Sequence, residues 1–98
     1  MTMDRARLEE TAQAMVAEGR GILAADESNR TMAKRMEAVG ARSTPQTRLR
    51  FRELLVTTPG AADAISGVIL YEETLRQRGS DATEFPRLLE RHGMMAGI

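Results

Sequence analysis

Gly21-Ile22-Leu23-Ala24-Ala25-Asp26-Glu27-Ser28-Asn29-Arg30-Thr31-Met32-Ala33-Lys34-Arg35 is the stretch from which the rest of the chain is read. A short apolar run ends in two carboxylates, a hydroxyl follows, and a helical pattern opens behind it. The order predicts strand, loop and helix, with the polar groups gathered at the C-terminal end of the strand. In parallel α/β folds ligands bind there, because strand ends and helix N-termini converge. Strand alternation places Ile22, Ala24 and Asp26 on one face and Leu23, Ala25 and Glu27 on the other. Asp26 then continues an otherwise apolar face, and a buried carboxylate requires a partner or a chemical role.

Working outward, residues 2–18 read as a helix. Leu8, Ala12, Met15 and Val16 form its apolar stripe, Thr2 or Asp4 its cap, and Gly19 its end. After the strand at 21–26, Ser28 or Asn29 caps a second helix with Met32, Met36 and Val39 on one face, stopped by Gly40. Thr44-Pro45 starts a third helix, cap first and proline at the first helical position. It runs to about Val56, carrying Leu49, Phe51, Leu54 and Leu55. Pro59-Gly60 turns the chain, and 61–64 adds one helical turn. A second strand at about 67–71 ends, like the first, in paired carboxylates, Glu72-Glu73. Residues 77–81 read as a loop and 85–92 as a short helix closed by Gly93. A third apolar strand occupies 94–98. Strands separated by helices predict a parallel sheet in an α/β fold. Such a sheet needs cover on both faces and a guarded edge, so the chain reads as part of a larger domain.

Composition narrows the function. The 98 residues carry 14 basic and 14 acidic side chains and no net charge, which gives no general pull toward nucleic acid or an anionic membrane. Cysteine is absent, so disulfide and thiolate chemistry are excluded; the single histidine, His92, excludes a multi-histidine metal site. The start of the chain is charged and lacks the apolar run of a signal peptide. No apolar run approaches the roughly 20 residues of a membrane span. A cytoplasmic protein is expected. Lys34 is the only lysine among the 14 basic residues, which restricts amine chemistry to one side chain.

Two readings compete at Asp26-Glu27-Ser28. One is a catalytic carboxylate beside a phosphate-binding loop; the other is an acidic, serine-capped helix start favoured by the helix dipole. Ser28, Thr31, Lys34 and Arg35 can clamp an anion, since a helix N-terminus, two hydroxyls and two cations point the same way. They can equally be a cap and a solvated basic face. Arg48, Arg50 and Arg52 read as a solvated run in which 48 and 52 share a face. His92 serves a helix end. Neither a dinucleotide fingerprint nor a P-loop is present.

The segment Gly21–Ser28, followed by Lys34-Arg35, resembles the first barrel strand of class I fructose-bisphosphate aldolases. Ile65-Ser66-Gly67-Val68-Ile69-Leu70-Tyr71-Glu72-Glu73-Thr74-Leu75 is similar to the second, with Thr44-Pro45, Leu54-Leu55-Val56 and Pro59-Gly60 matching between them. The likeness runs from about residue 8 to Ile98. Its wording at Ser28-Asn29, Ile65-Ser66-Gly67 and Glu72 is nearest the plant-plastid and related bacterial branch.

The resemblance implies a TIM (β/α)8 barrel, of which residues 1–98 form an incomplete N-terminal part with about three parallel strands. It implies a lyase of glycolysis and gluconeogenesis that cleaves fructose 1,6-bisphosphate to dihydroxyacetone phosphate and glyceraldehyde 3-phosphate. The reaction runs through a lysine Schiff base, without metal or other cofactor. It implies a sugar bisphosphate as partner, no nucleic acid or membrane, and a homo-oligomer, usually a tetramer, for the full-length protein. By position, Asp26 matches the active-site aspartate of the first strand. Ser28 and Thr31 match hydroxyls near a sugar phosphate, Lys34 and Arg35 a basic pair at the pocket rim, and Arg48 a further substrate-binding arginine. The family continues beyond Ile98 into Lys-x-Asp and supplies its Schiff-base lysine, acid/base glutamate and C-terminal tyrosine later. The 98 residues alone are therefore expected to be inactive. The alternative is a non-catalytic α/β module that binds a partner or a phosphorylated ligand.

Overall fold

The computed structural model describes residues 4–98. Helix α1 spans Arg5–Met15, strand β1 Gly21–Ala25, helices α2 Asn29–Ala38, α3 Pro45–Thr57 and α4 Ala61–Ala64, strand β2 Ile65–Leu70, helices α5 Glu72–Leu75 and α6 Phe85–Arg91, and strand β3 Met95–Gly97. The three strands form one parallel sheet in the order β1-β2-β3. Strand neighbours that are also neighbours in sequence, all parallel and joined through helices, are the start of a (β/α) barrel topology.

Local chemistry sets the element ends. Asp4 accepts the Arg7 N–H at 3.2 Å and opens α1; Thr2, the alternative cap, lies outside the described residues. The Ser28 hydroxyl accepts the Thr31 N–H at 3.3 Å and opens α2. Thr44 and Thr47 cap α3 reciprocally: each hydroxyl accepts the other's backbone N–H, at 3.1 and 2.8 Å, with Pro45 behind the cap. Gly93, at φ +78°, turns the chain from α6 into β3 in a conformation that costs other residues more. The short α5 falls directly on Glu72-Glu73, where no helix was expected.

The register pairs Ile22 with Gly67 and Met95, and Ala24 with Ile69 and Gly97, on one face of the sheet. Leu23 with Val68, and Ala25 with Leu70, lie on the other. The second face carries the core: Ala25, Val68 and Leu70 pack with Val56, Phe85, Leu88, Leu89 and Met94. The first face is open at β1, where Ile22 is 48% exposed. Arg20, just before β1, ties the opposite end of the sheet together. Its guanidinium donates to the carbonyls of Ala62, Ile65 and Gly93 at 3.1, 2.8 and 2.9 Å.

Three apolar assignments change. Of the α1 stripe, Leu8, Ala12 and Val16 are exposed and only Met15 packs. The Met15 side chain lies over Gly67, and its carbonyl accepts the Ser66 hydroxyl. Val39 falls just past the last residue of α2 and is exposed. On α3 the inward stripe is Arg48, Arg52 and Val56, while Phe51 and Leu54 face out. The arginine run is therefore not a solvated face. Residues 48 and 52 do share a side, and that side is buried; only Arg50 is exposed.

Candidate active site

Two loops meet at the C-terminal ends of β1 and β2. The first carries Asp26, Glu27 and Ser28; the second is short, Tyr71 leading directly into α5 with Glu72, Glu73 and Thr74. Alternation of exposure continues from β1 into its loop: Ala24 and Asp26 are exposed, Ala25 is buried and Glu27 half-buried. Asp26 thus stays with Ile22 and Ala24. It is not buried in this chain, because the face it shares is the open one.

Ser28 caps α2, Thr31, Lys34 and Arg35 follow within it, and all four are exposed. The Ser28 hydroxyl donates to the Thr31 hydroxyl at 3.2 Å, which gathers two hydroxyls at the helix N-terminus. Arg35 reaches back to the loop, with Nη1 2.7 Å from Glu27 Oε2. Arg48 lies apart from this group. Its Nε and Nη2 donate to the two oxygens of Glu73 at 2.9 and 2.6 Å, and Nη1 donates to the Ser43 hydroxyl at 2.9 Å. This fork-to-fork pair raises Arg48 and holds the Glu73 carboxyl below its ordinary 4.5.

Beneath both loops lies Arg52, which has no exposed surface. Its Nη2 donates to the Glu27 carbonyl at 2.6 Å and its Nη1 to the Thr74 hydroxyl at 2.9 Å. Glu73 Oε2 is 4.0 Å away, and the Tyr71 ring centroid lies 6.0 Å from Cζ. Burial pushes the Arg52 pKa down, opposed by Glu27, Glu73 and Asp26. Sequence reasoning read Arg52 as solvated and Glu73 only as one of two carboxylates ending the second strand, and gave Thr74 no role. The available signal was the four-residue spacing of 48 and 52, opposite a second acid-tipped strand. Among the described residues no cluster of three His, Asp or Glu side chains converges as a metal site would require.

A parallel sheet whose consecutive strands are joined through helices, with segments converging at the strands' C-terminal ends, defines the class: part of a (β/α) barrel frame. Comparison with known proteins is specific. The family model for fructose-bisphosphate aldolase class-I matches residues 7–98. A probable fructose-bisphosphate aldolase class 1 of Xanthomonas campestris is 51% identical over 92 residues, covering 94% of this chain and 28% of the relative. The fructose-bisphosphate aldolase of Drosophila melanogaster is 49% identical over 92 residues, covering 93% and 26%. A cytosolic aldolase of Arabidopsis thaliana is 48% identical over 88 residues, covering 90% and 25%. A solved Plasmodium falciparum fructose-bisphosphate aldolase, in complex with TRAP and a small-molecule inhibitor, superposes with a TM-score of 0.87 at 39% identity. It covers 100% of this chain and 29% of that one. The chain belongs to the class I fructose-bisphosphate aldolase family, and it spans between 25% and 29% of the length of these relatives.

Proposed function

We propose that these residues are the N-terminal part of a class I aldolase barrel that cleaves fructose 1,6-bisphosphate through a lysine Schiff base, in cytoplasmic glycolysis and gluconeogenesis. The observation that carries this reading is the position of Asp26-Glu27-Ser28 at the C-terminal end of β1, within a chain matched to the family over residues 7–98. The sugar bisphosphate is the ligand, and a homotetramer is the proposed assembly of the full-length protein.

Asp26, open on the face of Ile22 and Ala24, is the proposed catalytic carboxylate. Beside a protonated imine it would stabilise the cation and exchange protons. The hydroxyls of Ser28 and Thr31, the free N–H groups at the start of α2, and Lys34 and Arg35 form the proposed phosphate clamp. Arg35 binds phosphate by exchanging Glu27 for the ligand. Arg48 is the remaining proposed substrate contact. Glu73 and Ser43 already engage it, so its share requires those bonds to yield.

Schiff-base formation needs an unprotonated amine. Lys34 is the only lysine in the 98 residues, and it stands exposed on α2 in a proposed phosphate-binding role that wants full charge. The 98 residues alone are accordingly proposed to bind but not to cleave. Titration of the 15N-labelled chain with fructose 1,6-bisphosphate tests the reading. Resonances of Asp26, Ser28, Thr31 and Arg35 move together if it holds. Unmoved signals there, with shifts elsewhere, refute it.

A further inference from the structure

Arg52 is more than a filled position in the core. It stands on the stripe Arg48, Arg52, Val56, where an apolar side chain would pack without the penalty of burying a guanidinium. Its two donor groups go to different segments: Nη2 to the Glu27 carbonyl in the loop after β1, and Nη1 to the Thr74 hydroxyl on α5, just after β2. The Glu27 carbonyl belongs to the peptide linking Glu27 to Ser28. Glu27 is held a second time through its carboxylate, by Arg35 at 2.7 Å. The residue between Asp26 and Ser28 is thus pinned by backbone and side chain. Arg52 supplies the buried pin, and Glu73 at 4.0 Å balances its charge.

We propose that Arg52 is a positioning residue: by tying the Glu27 carbonyl to Thr74 it fixes the loop that presents Asp26 and Ser28 to ligand. The role rests on the reading of that loop as the substrate site. It acts through the loop backbone, and Arg52 itself touches no ligand. A planar guanidinium suits the task because it holds two acceptors at once in fixed geometry.

The test is NMR relaxation on the labelled 98-residue chain, with inorganic phosphate as the probe. Arg52→Met removes both donors. The backbone order parameters of residues 26–28 are expected to fall from about 0.85 to below about 0.6, while α6 and β3 keep theirs. Phosphate affinity, read from the Ser28 and Thr31 amides, is expected to weaken at least about threefold. Arg52→Lys keeps a cation and one donor for the Glu27 carbonyl but cannot hold both acceptors in fixed geometry, so loop order and affinity should fall between those of Arg52→Met and the parent. Thr74→Val removes one of the two acceptors that hold the guanidinium, so residues 26–28 are expected to lose order part-way toward Arg52→Met. A folded Arg52→Met variant with residues 26–28 still rigid overturns the proposal. So does a folded Thr74→Val variant whose residues 26–28 stay as rigid as the parent's, and that variant decides the matter if Arg52→Met fails to fold. Absence of any phosphate response in the parent chain, with the loop still loosened by Arg52→Met, would refute the proposed substrate site and uphold the positioning role.

Discussion

Arg48→Met is the perturbation whose size the structure sets most directly. Arg48 is 7% exposed, and its partner Glu73 retains 20% exposure of its side chain. Two charge-assisted bonds to Glu73 are lost, of a kind worth about 1.5–3 kcal/mol each. Two things offset that loss. Glu73 regains some water and keeps Arg52 at 4.0 Å, and methionine preserves the aliphatic packing of the arginine stem. The net loss should be about 2–3 kcal/mol, below the ~3–5 kcal/mol seen when a fully buried pair is broken. At about 4–8 °C per kcal/mol for a domain of this size, the melting temperature should drop on the order of 10–20 °C. The pH dependence has a definite sign. Glu73 is depressed below 4.5 in the folded chain, chiefly by its bonds to Arg48. Its contribution is therefore complete above that pH and lost as pH falls through the lowered value. Urea unfolding followed by circular dichroism at pH 7 and at a series of lower pH values should show a flatter acid branch in Arg48→Met. A double-mutant cycle with Glu73→Gln should give a coupling of at least about 1.5 kcal/mol. A coupling below about 0.5 kcal/mol, or an acid branch identical to the parent's, would refute the reasoning.

Ser28→Ala removes the cap of α2 and should cost about 0.5–2 kcal/mol in urea unfolding, with weaker phosphate binding at the Thr31 amide. Gly93→Ala meets no atom within 4 Å, so its cost is the positive φ alone, about 1–2 kcal/mol by thermal melting. In a full-length aldolase carrying these residues, Lys34→Ala should raise KM roughly tenfold, with substrate-dependent adduct still formed at saturation. Asp26→Ala should chiefly lower kcat, by about 100-fold or more; steady-state kinetics separate the two.

The parts of the fold legible in the sequence are those fixed by neighbouring residues. Ser28, Thr44-Pro45, Gly40 and Gly93 announced their helix ends because caps and left-handed turns depend on a few consecutive side chains. Alternation along residues 21–27 told Asp26 from Glu27 because strand geometry is periodic. What escaped depends on distant partners. A guanidinium at position 52 is read as solvated unless the carbonyl of Glu27 and the hydroxyl of Thr74, 25 and 22 residues away, are known to meet it. The α1 stripe misled for the opposite reason: an apolar period shows that a helix has a sticky side, and only Met15 of that side found a surface here. Asp26 was expected buried because its strand face is apolar, but that face is open at β1.

Borohydride trapping tests the central claim most directly. The 98-residue chain is incubated with dihydroxyacetone phosphate, reduced with borohydride, digested and mapped by mass spectrometry. Lys34 is the only side-chain amine available. Here it is a proposed phosphate ligand, exposed on α2. No substrate-dependent mass increase is expected on any peptide. A reduced adduct mapped to Lys34 would contradict both its phosphate-binding role and the assignment of these residues as the non-nucleophilic part of an aldolase barrel.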